Sequence, residues 1–90
     1  MATEEAVIRT DAALAAELVG EGDDAVARRV KQLVGDVGGA LSPTFPGSEG
    51  ELATYFHCFV EPAEFARIGD ELRSQPGVLA AYLKPGEALP

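Results

Sequence analysis

The segment between residues 51 and 83 constrains the fold of this chain more than any other part of it. Residues 51–60 alternate between apolar and other side chains, a pattern typical of a strand with two different faces. Pro62 suits the first position of a helix, and Pro76 ends it. Three apolar side chains at helical spacing line one side of this helix: Phe65, Ile68 and Leu72. The apolar run 78–83 predicts a further strand, so the segment forms half of a split βαβ fold.

The first part of the chain predicts a similar unit. Residues 6–10 are short and partly β-branched, which favours a strand. Asp11 is a good N-cap for the alanine-rich helix that follows it. Gly20 and Gly22 interrupt this helix, and apolar residues at helical spacing resume over residues 26–37. The pattern fits either two helices or one bent helix.

The middle of the chain joins these two units through a hairpin. Residues 40–45 can form a strand only at a sheet edge, because Pro43 has no N–H to donate. Residues 46–50 have the composition of a turn. We therefore predict a single α+β domain over residues 1–90 of the ferredoxin-like βαββαβ type, with a four-stranded antiparallel sheet and its helices on one face.

Composition and charge restrict the partners of such a domain. Fifteen acidic residues against seven basic ones give a net charge of −8. Nucleic acids and anionic membranes both require a basic surface, so we expect neither as a partner. The N-terminus has no basic and apolar leader pattern, and the single cysteine, Cys58, does not imply secretion. We expect a cytoplasmic protein.

The sequence also predicts a sheet with apolar side chains on both faces. One face of residues 51–60, which also carries Thr54, is expected to pack on the helices through Leu52, Phe56, Cys58 and Val60. Tyr55, His57 and Phe59 are then expected on the side that two helices cannot cover. Either Leu79, Ala81 and Leu83 or Val78, Ala80 and Tyr82 would join them, since the run 78–83 is apolar throughout. An exposed apolar patch of this size is typical of an interface.

Groups for catalysis or metal binding are few. His57 and Cys58 are neighbours in a strand, so their side chains are expected on opposite faces and cannot form a nucleophile–base pair. A zinc site needs three or four such ligands. The glycines after residue 34 follow a helix and do not open one, which excludes a phosphate loop. We therefore predict no catalytic residues, no metal and no cofactor.

The C-terminal half resembles the propeptide domains of subtilisin-type serine peptidases and the related propeptide-like peptidase inhibitors. The matching stretches are Phe45-Pro-Gly47, Glu51-Leu-Ala53, Phe56, Leu72-Arg-Ser-Gln-Pro-Gly-Val78 and Ala80-Ala-Tyr-Leu-Lys-Pro85. The resemblance implies a domain that docks its open sheet face on a peptidase, in cis or in trans, as an inhibitor or folding chaperone. It also implies that residues 84–90 form an extended tail that enters the substrate cleft.

Twelve residues are candidates for contact with that partner. On the sheet they are Tyr55, His57, Phe59, Leu79 and Leu83. In the tail they are Lys84, Pro85, Gly86, Glu87, Ala88, Leu89 and Pro90.

Two alternatives remain open at the level of sequence. The domain could bury its open face against a second copy, as a dimeric ligand-binding or regulatory module does. It could also be a small dimeric α/β-barrel enzyme of the cofactor-free monooxygenase type, with His57 in a pocket. The second alternative needs another polar group near His57, and the sequence indicates none.

Overall fold

The structure, a computed structural model, describes residues 3–20 and 24–84. The elements follow in the order β1 (Glu4–Thr10), α1 (Ala12–Val19), α2 (Ala25–Asp36), β2 (Ser42–Pro43), a short 3-10 helix (Gly50–Thr54), β3 (Tyr55–Val60), α3 (Pro62–Ser74) and β4 (Val78–Leu83). The sheet has the strand order β2-β3-β1-β4, and all neighbouring strands are antiparallel. β3 therefore lies between the parallel strands β1 and β2, and β1 lies between β3 and β4. This arrangement confirms the α+β split βαβ fold.

Side-chain caps explain why the first crossover contains two helices. The Asp11 carboxylate accepts a hydrogen bond from the N–H of Leu14 at 2.8 Å. The Asp24 carboxylate does the same for the N–H of Ala27 at 3.0 Å. Because each helix has its own N-cap, the bent-helix alternative is wrong.

The core lies between the helices and one face of the sheet. β1 contributes Ala6 and Ile8, and β3 contributes Phe56, Cys58 and Val60. All three helices cover this face with the buried residues Leu14, Ala15, Leu18, Ala27, Val30, Leu33, Val34, Phe65, Ile68 and Leu72. The predicted stripe on α3 is therefore confirmed, and so is the helix-facing set of β3 from Phe56 onward.

Two details of the predicted strands are wrong: the residue at which β3 begins and the orientation of side chains in β4. Residues 51–54 belong to the 3-10 helix, which starts at Gly50 with a left-handed φ of 69° and is closed by the hydroxyl of Thr54 donating to the Glu51 carbonyl. Leu52 therefore lies outside the core and is 48% exposed. The alternating sequence pattern continues across this turn, but β3 begins only at Tyr55.

β4 follows neither of the two alternations that the sequence allowed. Thr10 pairs with Val78 and Arg9 pairs with Ala80, which leaves Leu79 as the extra residue of a β-bulge. The bulge brings Val78, Ala81 and Leu83 to the helix-covered side. The assignment of Leu83 to the open face is therefore wrong, because its side chain packs against the core.

Candidate functional site

The face of the sheet opposite the helices is the main candidate surface. We call it the open face and define it by the strand residues Glu5, Val7, Arg9, Tyr55, His57, Phe59, Ala80 and Tyr82. Their neighbours along β1 and β3 are buried under the helices, so strand alternation directs these side chains to the other side. The helices α1, α2 and α3 pack on the other face of the sheet and leave the open face uncovered.

Aromatic rings dominate the centre of the open face. Val7 lies between its cross-strand partners His57 and Tyr82. The rings of His57 and Phe59 meet edge to face, with centroids 5.7 Å apart, and Phe59 is 56% exposed. Nδ1 of His57 lies 3.2 Å from the hydroxyl of Thr44, which fixes the orientation of the imidazole. The arrangement is a solvent-exposed aromatic patch of the kind that anchors protein interfaces.

Charged pairs flank this patch at both ends of β1. At one end the guanidinium of Arg9 lies over the ring of Tyr55, 5.2 Å from its centroid, and Nη2 is 3.0 Å from Glu51. At the other end Nζ of Lys84 is 3.6 Å from Glu5. Each positive group on the face is thus paired with a carboxylate. The patch between them can be desolvated without burying either charge alone.

Two depressions meet at the Arg9 end of the sheet. A groove of about 450 Å³ on the open face is lined by Glu5, Val7, Thr44, Phe45, Glu51, Leu52, Tyr55, Tyr82 and Lys84. A cleft of about 630 Å³ lies between α1 and residues 43–54. Phe45 and Glu51 line both. The Phe45 ring also packs edge to face on Tyr55, with centroids 6.0 Å apart, so it forms the ridge between the two.

The structure brings together only some of the residues that the sequence selected. Tyr55, His57 and Phe59 lie on the open face as predicted. Leu79 is exposed, but it lines the cleft beside α1. Lys84 lies beside the open face through its pair with Glu5. The predicted tail contacts of residues 85–90 lie outside the described residues.

Sequence reasoning missed three residues of the open face. Glu5, Val7 and Arg9 lie on the inner strand β1, and they alternate with the buried residues Ala6, Ile8 and Thr10. That alternation is visible in the sequence, but the segment is short and its charged residues made one-sided burial harder to recognise. Tyr82 belonged to one of the two alternative sets for β4. The bulge places its side chain on the open face.

Chemically reactive groups are kept apart. Cys58 is buried beneath the helices, and desolvation raises the pKa of its thiol from 9.0 to about 11. His57 lies on the opposite side of the same strand. Within residues 3–20 and 24–84, no three His, Cys, Asp or Glu side chains are placed to hold a metal ion. In the same part of the chain, no helix has the length and hydrophobicity needed to cross a membrane.

Comparison with protein-family models, with curated proteins and with solved structures finds no similar family, relative or fold neighbour.

Proposed function

We propose that this protein is a non-catalytic binding module that docks its open face on a subtilisin-type serine peptidase. In this proposal residues 84–90 extend into the substrate cleft, and the complex inhibits the peptidase or assists its folding. The choice of partner rests on the resemblance of the C-terminal half to subtilisin propeptides. The choice of surface rests on the aromatic patch of the open face.

The uncovered aromatic patch is the observation that carries the proposal. Phe59 and Tyr82 are exposed, and Tyr55 and His57 are only half-buried, although each has a large apolar surface. Aromatic side chains in such a cluster contribute most of the affinity at many protein interfaces. β4 ends beside this face at Leu83, so the seven residues after it begin where the partner would sit.

A peptidase assay tests the proposal. The protein is titrated into purified subtilisin-type peptidases, and hydrolysis of a chromogenic peptide is followed. We expect inhibition by the wild type and a loss of at least about 100-fold in affinity for Tyr55→Asp with Phe59→Asp. The matched control is Ala63→Asp with Ala66→Asp, which adds the same charge on the exposed side of α3. Equal weakening by both pairs, or no complex with any peptidase of this type, would refute the proposal.

A second candidate function is self-association through the same face. β1 presents Glu5, Val7 and Arg9 in a row on the open face. A two-fold axis near Val7 would place Glu5 of one copy opposite Arg9 of the other, so that an antiparallel pair of sheets is also electrostatically matched. Sedimentation velocity distinguishes the two candidates. A dimer that persists on dilution and is lost in Tyr55→Asp with Phe59→Asp would favour self-association.

A further inference from the structure

The outer edge of β4 is a surface that the proposed function does not use. β4 is the last strand at one end of the sheet, and β1 pairs with only one of its two edges. Its sequence, Val78-Leu-Ala-Ala-Tyr-Leu83, contains no charge, proline or glycine. Uncharged strands of this kind at a sheet edge pair readily with other strands. A monomeric chain therefore needs a feature that prevents such pairing.

The side chain of Arg73 on α3 reaches this edge. Its Nη1 donates a hydrogen bond to the carbonyl of Ala81 at 2.7 Å. Because the N–H of Lys84 instead bonds the carbonyl of Glu5 in β1, odd- and even-numbered residues of this part of β4 point to opposite edges. The backbone groups of Ala81 and Leu83 are therefore the ones that face outward. Arg73 occupies the acceptor in the middle of that edge.

Two further residues of α3 hold Arg73 in this position. Nη2 of Arg73 is 2.9 Å from the carboxylate of Asp70, one helical turn earlier. Gly69 leaves the space through which the guanidinium passes, since a Cβ at this position would lie 2.9 Å from Nη2. Glycine is unfavourable inside a helix. At this position it leaves room for the guanidinium of Arg73.

We propose that the outer edge of β4 is a strand-pairing surface for β4 of a second copy of this chain, and that Arg73 keeps it closed. In an antiparallel pair, the outward N–H and C=O groups of Ala81 and Leu83 meet those of the same two residues of the second copy in reverse order. An uncharged strand opposes no like charge when it pairs with itself. While Arg73 occupies the Ala81 carbonyl, that register is blocked.

Sedimentation velocity of Arg73→Ala tests whether Arg73 prevents pairing at the outer edge of β4. Arg67→Ala is a matched control, because Arg67 is an exposed arginine of α3 whose hydrogen bond and ion pair are both with Glu64 of the same helix. Both variants change the net charge equally. We expect Arg73→Ala to raise the self-association constant at least about tenfold over wild type, and Arg67→Ala to leave it unchanged. Slower amide hydrogen exchange at Ala81 and Leu83 should accompany the association.

A second variant opens the edge without removing the charge. In Gly69→Ala the new methyl group would lie 2.9 Å from Nη2 of Arg73, so the guanidinium must shift from its present position, while alanine favours the helix. We expect association stronger than that of wild type and no stronger than that of Arg73→Ala, with native circular dichroism and no loss of stability. The added substitutions Tyr55→Asp with Phe59→Asp should not abolish it, since they lie on the open face. The proposal is wrong if Arg73→Ala and Gly69→Ala both behave as Arg67→Ala does, or if the open-face substitutions remove the association.

Discussion

The two phenylalanines of β3 lie in opposite environments. Phe56 is 1% exposed and lies among the core residues, whereas Phe59 projects into solvent from the open face. We expect Phe56→Ala to lower the free energy of unfolding by about 3–5 kcal/mol, because it removes a buried ring and leaves a cavity. Phe59→Ala is the control, with an expected loss below about 1 kcal/mol. Urea denaturation measures both, and a loss below about 1 kcal/mol for Phe56→Ala would contradict the assigned strand orientation.

The buried thiol of Cys58 gives the stability a defined pH dependence. Burial raises its pKa in the folded state to about 11 from 9.0, so the unfolded chain releases this proton first as the pH rises. Deprotonation then stabilises the unfolded state. The free energy of unfolding should therefore fall between pH 9 and pH 11. Below pH 9 the thiol is protonated in both states and should not change it.

Cys58→Ala isolates that contribution. We expect the variant to show a shallower decline in melting temperature over the same alkaline range than the wild type. The native wild-type thiol should also resist alkylation until the protein unfolds, because only the thiolate reacts. Parallel pH profiles for the two proteins would show that other groups cause the alkaline loss.

At the scale of elements, the turn between α3 and β4 depends on a glycine. Gly77 has a φ of 90°, and a Cβ there would approach Cβ of Leu14 to 3.1 Å. We expect Gly77→Ala to destabilise the protein by about 1–3 kcal/mol through backbone strain and crowding against α1. Gly35→Ala is a matched control in α2, where the space beside the glycine is open. It should instead stabilise the protein by about 0.5–1 kcal/mol. Thermal or urea denaturation measures the stability of both variants. Equal changes in stability with the same sign would contradict this explanation.

The elements also indicate what a sequence of this length encodes locally. The N-cap at Asp11, the stripe on α3 and the position of a proline-containing strand at the edge follow from short-range chemistry, and all three were predicted correctly. The start of β3 and the orientation of β4 were not. A left-handed glycine converts an alternating pattern into a 3-10 turn, and a bulge depends on how β4 pairs with a distant strand. Neither effect changes the apolar periodicity on which such predictions rest.

The candidate surface likewise depends partly on local sequence pattern and partly on contacts between distant residues. Tyr55, His57 and Phe59 could be placed from alternation alone, since they belong to the one long alternating run. The charged pairs at the ends of the open face could not. Arg9 and Glu51 are far apart in sequence and meet only because the 3-10 helix packs at the end of the sheet. Tertiary contacts of this kind require the register of the strands, which sequence spacing does not give.

At the scale of the whole molecule, the proposed function assigns different roles to the open face and to residues 84–90. The open face would supply affinity, and residues 84–90 would block the substrate cleft. A chain that ends at Lys84 keeps all four strands and the charged pair with Glu5. For any peptidase that the full chain inhibits, we expect the shortened chain to compete for binding but no longer to block peptide hydrolysis.

Two assays on the same samples test this division. Displacement of the labelled full chain from the peptidase reports docking, and hydrolysis of a chromogenic peptide reports occupation of the cleft. A variant of the full chain with Leu89→Ala is the control for side-chain loss without shortening, and it should retain inhibition because the extended backbone makes most of the cleft contacts. Undiminished inhibition by the shortened chain would mean that docking alone closes the cleft. Loss of competition would mean that the tail, and not the aromatic patch, provides most of the affinity.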